Sequence, residues 1–134
     1  MAGYSGTPLI QKLGIRPGAR VVFLNAPPGF ESLVGPLPDG AHKLTRVSAP
    51  IDTAVVFSDS RRELERLFER ARRVLARNGS LWVGWPKRAS GVPTDLTEDV
   101  VRSVGLPRGL VDVKVCAIDE VWSGLKFVIR KENR

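Results

Sequence analysis

The stretch LWVGWPKRASGVPTDLTEDV, Leu81 to Val100, leaves an apolar strand and enters a helix through a loop carrying Lys87, Ser90, Gly91, Thr94 and Asp95. Lys87 and the exposed N-terminus of a helix capped by Asp95 together favour an anionic group, although the cap carboxylate competes for the same amides. A second group, Asp119 and Glu120 beside Trp122, supplies carboxylates that act as acids or bases where burial shifts their proton affinity. Asn25 and Asp59 leave two further apolar strands. None of these residues forms a recognisable catalytic device. His42 is the only histidine and Cys116 the only cysteine, which excludes an intrachain disulfide and argues against a His/Cys metal cluster. A nucleophilic triad needs His42, and no nucleophile motif accompanies it.

Each candidate also has a purely structural use. Ser90-Gly91 and Pro93-Thr94 are turn chemistry, Thr94 and Asp95 are helix caps, and Trp82, Trp85 and Trp122 are packing residues. A plain connection from strand to helix needs only about 2 to 6 residues. Pro86 to Thr94 is longer, which favours a ligand for the cluster as a whole.

The elements that position these residues alternate. TPLIQKLGI predicts a short helix with Thr7 as cap, Pro8 at the first position and Gly14 as its stop. RVVFL, Arg20 to Leu24, is a buried strand that breaks at Asn25 into a Pro/Gly loop. Phe30 to Val34 suggests a helix and Lys43 to Val47 a short strand. IDTAVVFSDS, the arginine-rich helix after it and SLWVGWP form a strand, helix, strand crossover. DLTEDVVRSVGL follows as a helix with Asp95 as cap. VDVKVCAI and SGLKFVIRK close the chain as two strands whose short link, Asp119 to Trp122, makes them antiparallel.

A formal net charge of +7 raises the question of a polyanionic partner. Much of the charge lies in SRRELERLFERARRVLARNG, where Leu64, Leu67, Phe68, Ala71, Val74 and Leu75 recur at helical spacing. Ser60 and Glu63 make a capping box, and Asn78-Gly79 reads as a left-handed stop. The arginines occupy the solvated face and alternate with Glu63, Glu65 and Glu69, which dilute the field. No aromatic platform accompanies them, so nucleic-acid binding is weakly supported. The 134 residues suit one domain, and with no signal peptide and no apolar run of about 18 residues the expectation is a cytoplasmic protein without membrane contact.

Continuous apolar strands alternating with helices predict an α/β fold, an open three-layer, mostly parallel sheet of about six strands that ends in an antiparallel hairpin. This pattern resembles the C-terminal half of the Rossmann-like methyltransferase fold. In that likeness VVFSDS and LWVGWP stand as the fourth and fifth strands, and the closing hairpin as the sixth and seventh. The chain also resembles an uncharacterised bacterial family catalogued as domain of unknown function 3052, through GYSGTPLIQKLGI, LNAPPGF, WPKRASGVPTDLTEDVVR and VCAIDEVWSGLKFV. That family has no assigned activity, so the likeness implies a fold and a site without a reaction.

Against the methyltransferase pattern, the turn NAPPGF has two prolines that remove backbone donors, and KLTRV is followed by no carboxylate for a ribose. About thirty residues separate Asn25 from Thr53, room for one crossover where the full fold has two. The sequence therefore predicts a reduced methyltransferase-like domain with no cofactor and no metal. It favours a non-catalytic binding or regulatory role toward an unknown small molecule or protein. The alternatives are a small S-adenosylmethionine-dependent transferase and a nucleic-acid-associated basic protein. In open parallel sheets ligands bind outside the carboxyl ends of the strands. Asn25, Asp59, Lys87 and the Asp119 to Trp122 turn are expected there, with GYSGT within reach.

Overall fold

The computed structural model describes residues 7–134. The elements run α1 (Leu9–Leu13), β1 (Arg20–Leu24), α2 (Phe30–Val34), β2 (His42–Lys43), β3 (Ile51–Phe57), α3 (Arg61–Arg72), β4 (Leu75–Pro86), α4 (Glu98–Gly105), β5 (Leu110–Ala117) and β6 (Trp122–Ile129). They build one six-stranded sheet in the order β2-β1-β3-β4-β6-β5. β2, β1, β3 and β4 are parallel, and β6 lies antiparallel between β4 and β5. The predicted reduced fold is the one found. Among the described residues only the two-residue β2 stands beyond β1 on that side.

The apolar strands are continuous because helices cover both faces. In β3, Val55 and Phe57 turn toward α1 and α2, where they join Leu13, Phe30, Trp82 and Ile118. Ala54 and Val56 turn the other way and pack with Leu64, Phe68, Val101, Val104 and Phe127 under α3 and α4. Each face therefore buries alternate residues, the period-two rule of a strand. Two glycines let the layers close. A Cβ on Gly105 would stand 2.3 Å from the Phe127 ring, and one on Gly84 would stand 2.7 Å from Phe57.

Several boundaries differ from those read in the sequence. α3 ends at Arg72, so Val74 and Leu75 are not part of its buried stripe. Asn78-Gly79 is not a helix stop. It lies inside β4 where the pairing jumps from Ile51↔Leu75 to Thr53↔Ser80, and a Cβ on Gly79 would stand 2.9 Å from the Ile51 carbonyl oxygen. The strand expected over 43–47 shrinks to His42–Lys43, and Pro8 rather than Thr7 holds the N-cap position of α1.

The acidic residues of α3 neutralise only part of its arginine face. Glu65 pairs with Arg61, and Glu69 with Arg72, Arg73 and Arg108. The Glu69 carboxyl is held below its ordinary range by the hydrogen bond from Arg72, against the opposing effect of burial. Glu63 turns to the strand edge instead. Among the described residues Arg62, Arg66 and Arg70, one turn apart and exposed, enter no ion pair.

The helix cap is the clearest correction. Asp95 does not cap α4; Thr97 does, its side chain accepting from Val100 N at 3.2 Å. Asp95 instead accepts the Arg61 amide at 2.8 Å, a donor at the start of α3. Asp95→Ala and Thr97→Ala should each cost about 1 kcal/mol, the usual loss on removing a cap. Amide exchange separates them. Asp95→Ala should speed exchange at Arg61 and leave Val100 protected, and Thr97→Ala should do the reverse.

Candidate functional site

The carboxyl ends of the parallel strands form an edge that the sequence expected to hold the site. β1 stops at Asn25, the one described non-glycine residue in the left-handed region, with φ 57°. Its side-chain amide donates to the Phe57 carbonyl at 2.9 Å and to Glu63 Oε1 at 3.2 Å, so it ties the end of β1 to the end of β3. Ser58, 1% exposed, donates from Oγ to Glu63 Oε1 at 3.0 Å and accepts from the Ser60 amide at 3.2 Å. Glu63 is thus the hub of the switch point. Sequence reasoning found it only as the third residue of a capping box. Its carboxylate turns toward residues 5 and 38 positions away, and no local pattern announces that.

The long loop after β4 is explained by two anchors. Thr94 Oγ1 donates to the Asp59 carbonyl at 2.5 Å and accepts the Leu96 amide at 3.0 Å. Asp95 takes the Arg61 amide as described. Ser90 donates to the Lys87 carbonyl at 2.6 Å and accepts the Val92 amide at 3.2 Å, and Gly91 closes that turn at φ 77°. Thr94 and Asp95 therefore fasten the loop to the β3–α3 junction, and Ser90 and Gly91 shape the turn within it. The Asp59 carboxylate is exposed above it. The helix N-terminus that the sequence paired with Lys87 is capped by Thr97, and the Asp95 carboxylate expected there is engaged at the start of α3.

Of the remaining predicted residues Asp119, Glu120 and Trp122 line a cleft, and Asn25, Asp59 and Lys87 are not part of its lining. This cleft of about 420 Å³ opens between Pro27–Phe30 with Leu33 on one wall and Asp119–Trp122 on the other. Asp119 Oδ1 accepts from Val121 N and Trp122 N, both at 2.8 Å, which fixes the turn joining β5 to β6. The Trp122 ring meets Phe57 edge-on at 5.2 Å, Phe57 meets Phe30 at 4.8 Å, and Phe30 meets Phe23 at 4.9 Å. This aromatic chain gives the cleft a rigid base. Its lining contains two carboxylates, Asp119 and Glu120, and no cation. Lys87 lies beside it, its backbone amide donating to the Val121 carbonyl at 2.7 Å, and its ammonium enters no ion pair among the described residues. Residues 3–6 of the GYSGT segment lie outside the described residues.

Other chemistries find less support. Among the described residues no group of histidine, cysteine and carboxylate side chains could hold a metal ion. Burial pushes the Cys116 thiol up, against the opposing pull of Lys12 and Lys114, so it is no ready nucleophile. No helix of the described residues is long and apolar enough to cross a membrane.

Comparison with known proteins locates the fold. No protein-family model matches the sequence, and no curated sequence is similar to it. Solved structures do match. A SAM-dependent methyltransferase from Aquifex aeolicus superposes with a TM-score of 0.67 at 13% identity, over 91% of this chain and 88% of that one. The fibrillarin pre-rRNA processing protein of Methanococcus jannaschii gives 0.63 at 12% identity, over 93% and 70%. Magnesium protoporphyrin IX methyltransferase from Synechocystis PCC 6803, with bound SAM, gives 0.62 at 12% identity, over 91% and 74%. The chain spans about half of two longer matched proteins, 50% and 53% of their lengths.

The six-stranded mixed sheet therefore has the Rossmann-like fold of methyltransferases. These matches correct the non-catalytic reading. The absent glycine-rich turn and ribose carboxylate weighed against a transferase in the sequence, but matched structures described as methyltransferases carry this fold, which fits the transferase alternative better than a non-catalytic module.

Proposed function

We propose that the protein is a small methyltransferase-type transferase that takes an S-adenosylmethionine donor in the cleft between the 25–30 loop and the 119–122 turn. Its likeness to domain of unknown function 3052 belongs to the same proposal and adds no reaction. The observation that carries the reading is the cleft's charge and shape. Its carboxylates and aromatic edges, with no lining cation, suit a ligand that carries an ammonium and a sulfonium. A volume of about 420 Å³ lies in the usual range for small-molecule sites.

The donor supplies an electrophilic methyl group on sulfur. The chain's own residues bind and orient. Two prolines leave the β1 turn poor in amide donors, so the hold passes to the opposite wall. There Asp119 is pinned through one oxygen by two amides and carries its negative charge at the cleft. Glu120 adds a second, exposed carboxylate. Trp122, braced on Phe57, provides a flat apolar edge that keeps its place when a ligand enters. Lys87 stands at the rim, where it would meet the donor's carboxylate or an acidic acceptor.

Chemical-shift mapping with S-adenosylhomocysteine tests the location. Saturable shifts should cluster at Gly29, Phe30 and Asp119–Trp122, with Ser90 and Thr97 unmoved. Shifts restricted to the 88–97 loop would reject this cleft.

A further inference from the structure

The opposite edge of the sheet carries a second cavity, of about 480 Å³, at the amino ends of β1 and β3. Its lining includes Arg16, Gly18, Asp52, Asn78, Ser80 and Lys126. Its lining sets two cations, Arg16 and Lys126, against one carboxylate, Asp52. Lys126 lies directly opposite Lys114 in the β5–β6 ladder. Like charges facing each other across a strand pair destabilise it. Arg16, from the connection between α1 and β1, adds a third positive charge to the same field. Burial, then Lys114 and Arg16, pulls the Lys126 ammonium below its ordinary range.

None of these three cations enters an ion pair among the described residues. The one carboxylate in the lining, Asp52, is engaged by the Arg20 amide at 2.9 Å. Two neutral donors are unspent: the side chains of Ser80 and Asn78 make no hydrogen bond among the described residues.

We propose that this cavity is a binding site for a phosphate ester of a small polar molecule. Two walls of the cluster come from different elements, the α1–β1 connection and β6, so the charges converge on a cavity instead of spreading along one helix. A phosphate group offers several acceptor oxygens and up to two negative charges, matching Lys126 and Arg16 with Ser80 and Asn78 as neutral donors. The volume exceeds what one inorganic ion needs and leaves room for the ester's organic part. The site is independent of the transferase reading, since it lies at the other end of the strands and shares no residue with the cleft.

The test is titration of isotopically labelled protein with inorganic phosphate, pyrophosphate and a nucleoside monophosphate at constant ionic strength, followed by amide shifts and melting temperature. Saturable shifts at Arg16, Gly18, Ser80 and Lys126, with a rise in melting temperature, are expected. The ester should bind more tightly than inorganic phosphate. Lys126→Met should weaken binding at least tenfold without lowering the melting temperature of the free protein, because it also removes a like-charge pair. Ser80→Ala gives a second, milder loss should Lys126→Met fold poorly. The proposal is overturned by the absence of saturation at millimolar pyrophosphate or by unchanged affinity in both variants. Shifts confined to Arg62, Arg66 and Arg70 that vanish with salt overturn it as well, since they mark a diffuse polyanion surface.

Discussion

Replacing Trp82 by alanine should lower the unfolding free energy by about 3–5 kcal/mol, the range for deleting a large buried aromatic side chain. Trp82 is fully buried at the centre of the face covered by α1 and α2. Its indole donates to the Leu13 carbonyl at 3.1 Å, across 69 residues of chain. Alanine would leave a cavity beneath α1 and an unpaired carbonyl at the end of that helix, and both effects destabilise. Domains of this size have about 5–15 kcal/mol in total, so the variant should stand near the threshold of folding. Trp82→Phe keeps most of the volume and should lose about 1–3 kcal/mol through the hydrogen bond. Urea denaturation of both variants is the check. A loss below about 1 kcal/mol for Trp82→Ala would mean that α1 is not bolted to the sheet through this residue.

The second large effect belongs to the cleft. Asp119→Ala removes both the acceptor that shapes the β5–β6 turn and a carboxylate that lines the cleft. Asp119→Asn separates these roles, because the amide oxygen still accepts from Val121 and Trp122 while the charge is gone. The asparagine variant should keep its stability to within about 0.5 kcal/mol, as surface changes that preserve their contacts usually do. It should lose donor affinity by roughly 10- to 100-fold, the scale of one hydrogen bond to a charged partner. Alanine should lose the same affinity and about 1 kcal/mol of stability besides. Equal affinity in wild type and Asp119→Asn would show that this carboxylate does not meet a cationic ligand.

Most of the sheet was legible because its signals are local and strong. The continuous apolar runs of β1, β3 and β4 occur only where both faces are covered, and the short link before Trp122 admits only an antiparallel pair. The errors share a physical cause. DLTE offers two cap residues two positions apart, and the choice of Thr97 over Asp95 depends on a tertiary bond to Arg61 that no helix rule contains. Asn78-Gly79 has the composition of a helix stop, but the close approach of Ile51 requires its glycine for another reason.

The site was legible in part. Asp119, Glu120 and Trp122 line a real cleft. Ser90, Gly91, Thr94 and Asp95 instead make hydrogen bonds that shape and fasten a loop. Glu63 was missed because its partners, Asn25 and Ser58, meet it only once β1 and β3 pair. The proline-rich turn weighed against a transferase for a sound local reason. The opposite wall of the cleft comes from the far end of the chain, and only the assembled sheet brings Asp119 opposite Gly29.

The most direct measurement is calorimetric titration of the purified protein with S-adenosylmethionine, followed by its melting temperature at saturating ligand. One saturable site per chain is expected. At 100 times the dissociation constant the ligand should add about 2.7 kcal/mol of stability. Asp119→Asn should weaken that site while leaving the unliganded melting temperature unchanged. No saturable heat and no rise in melting temperature, with the wild-type protein folded, would contradict the account.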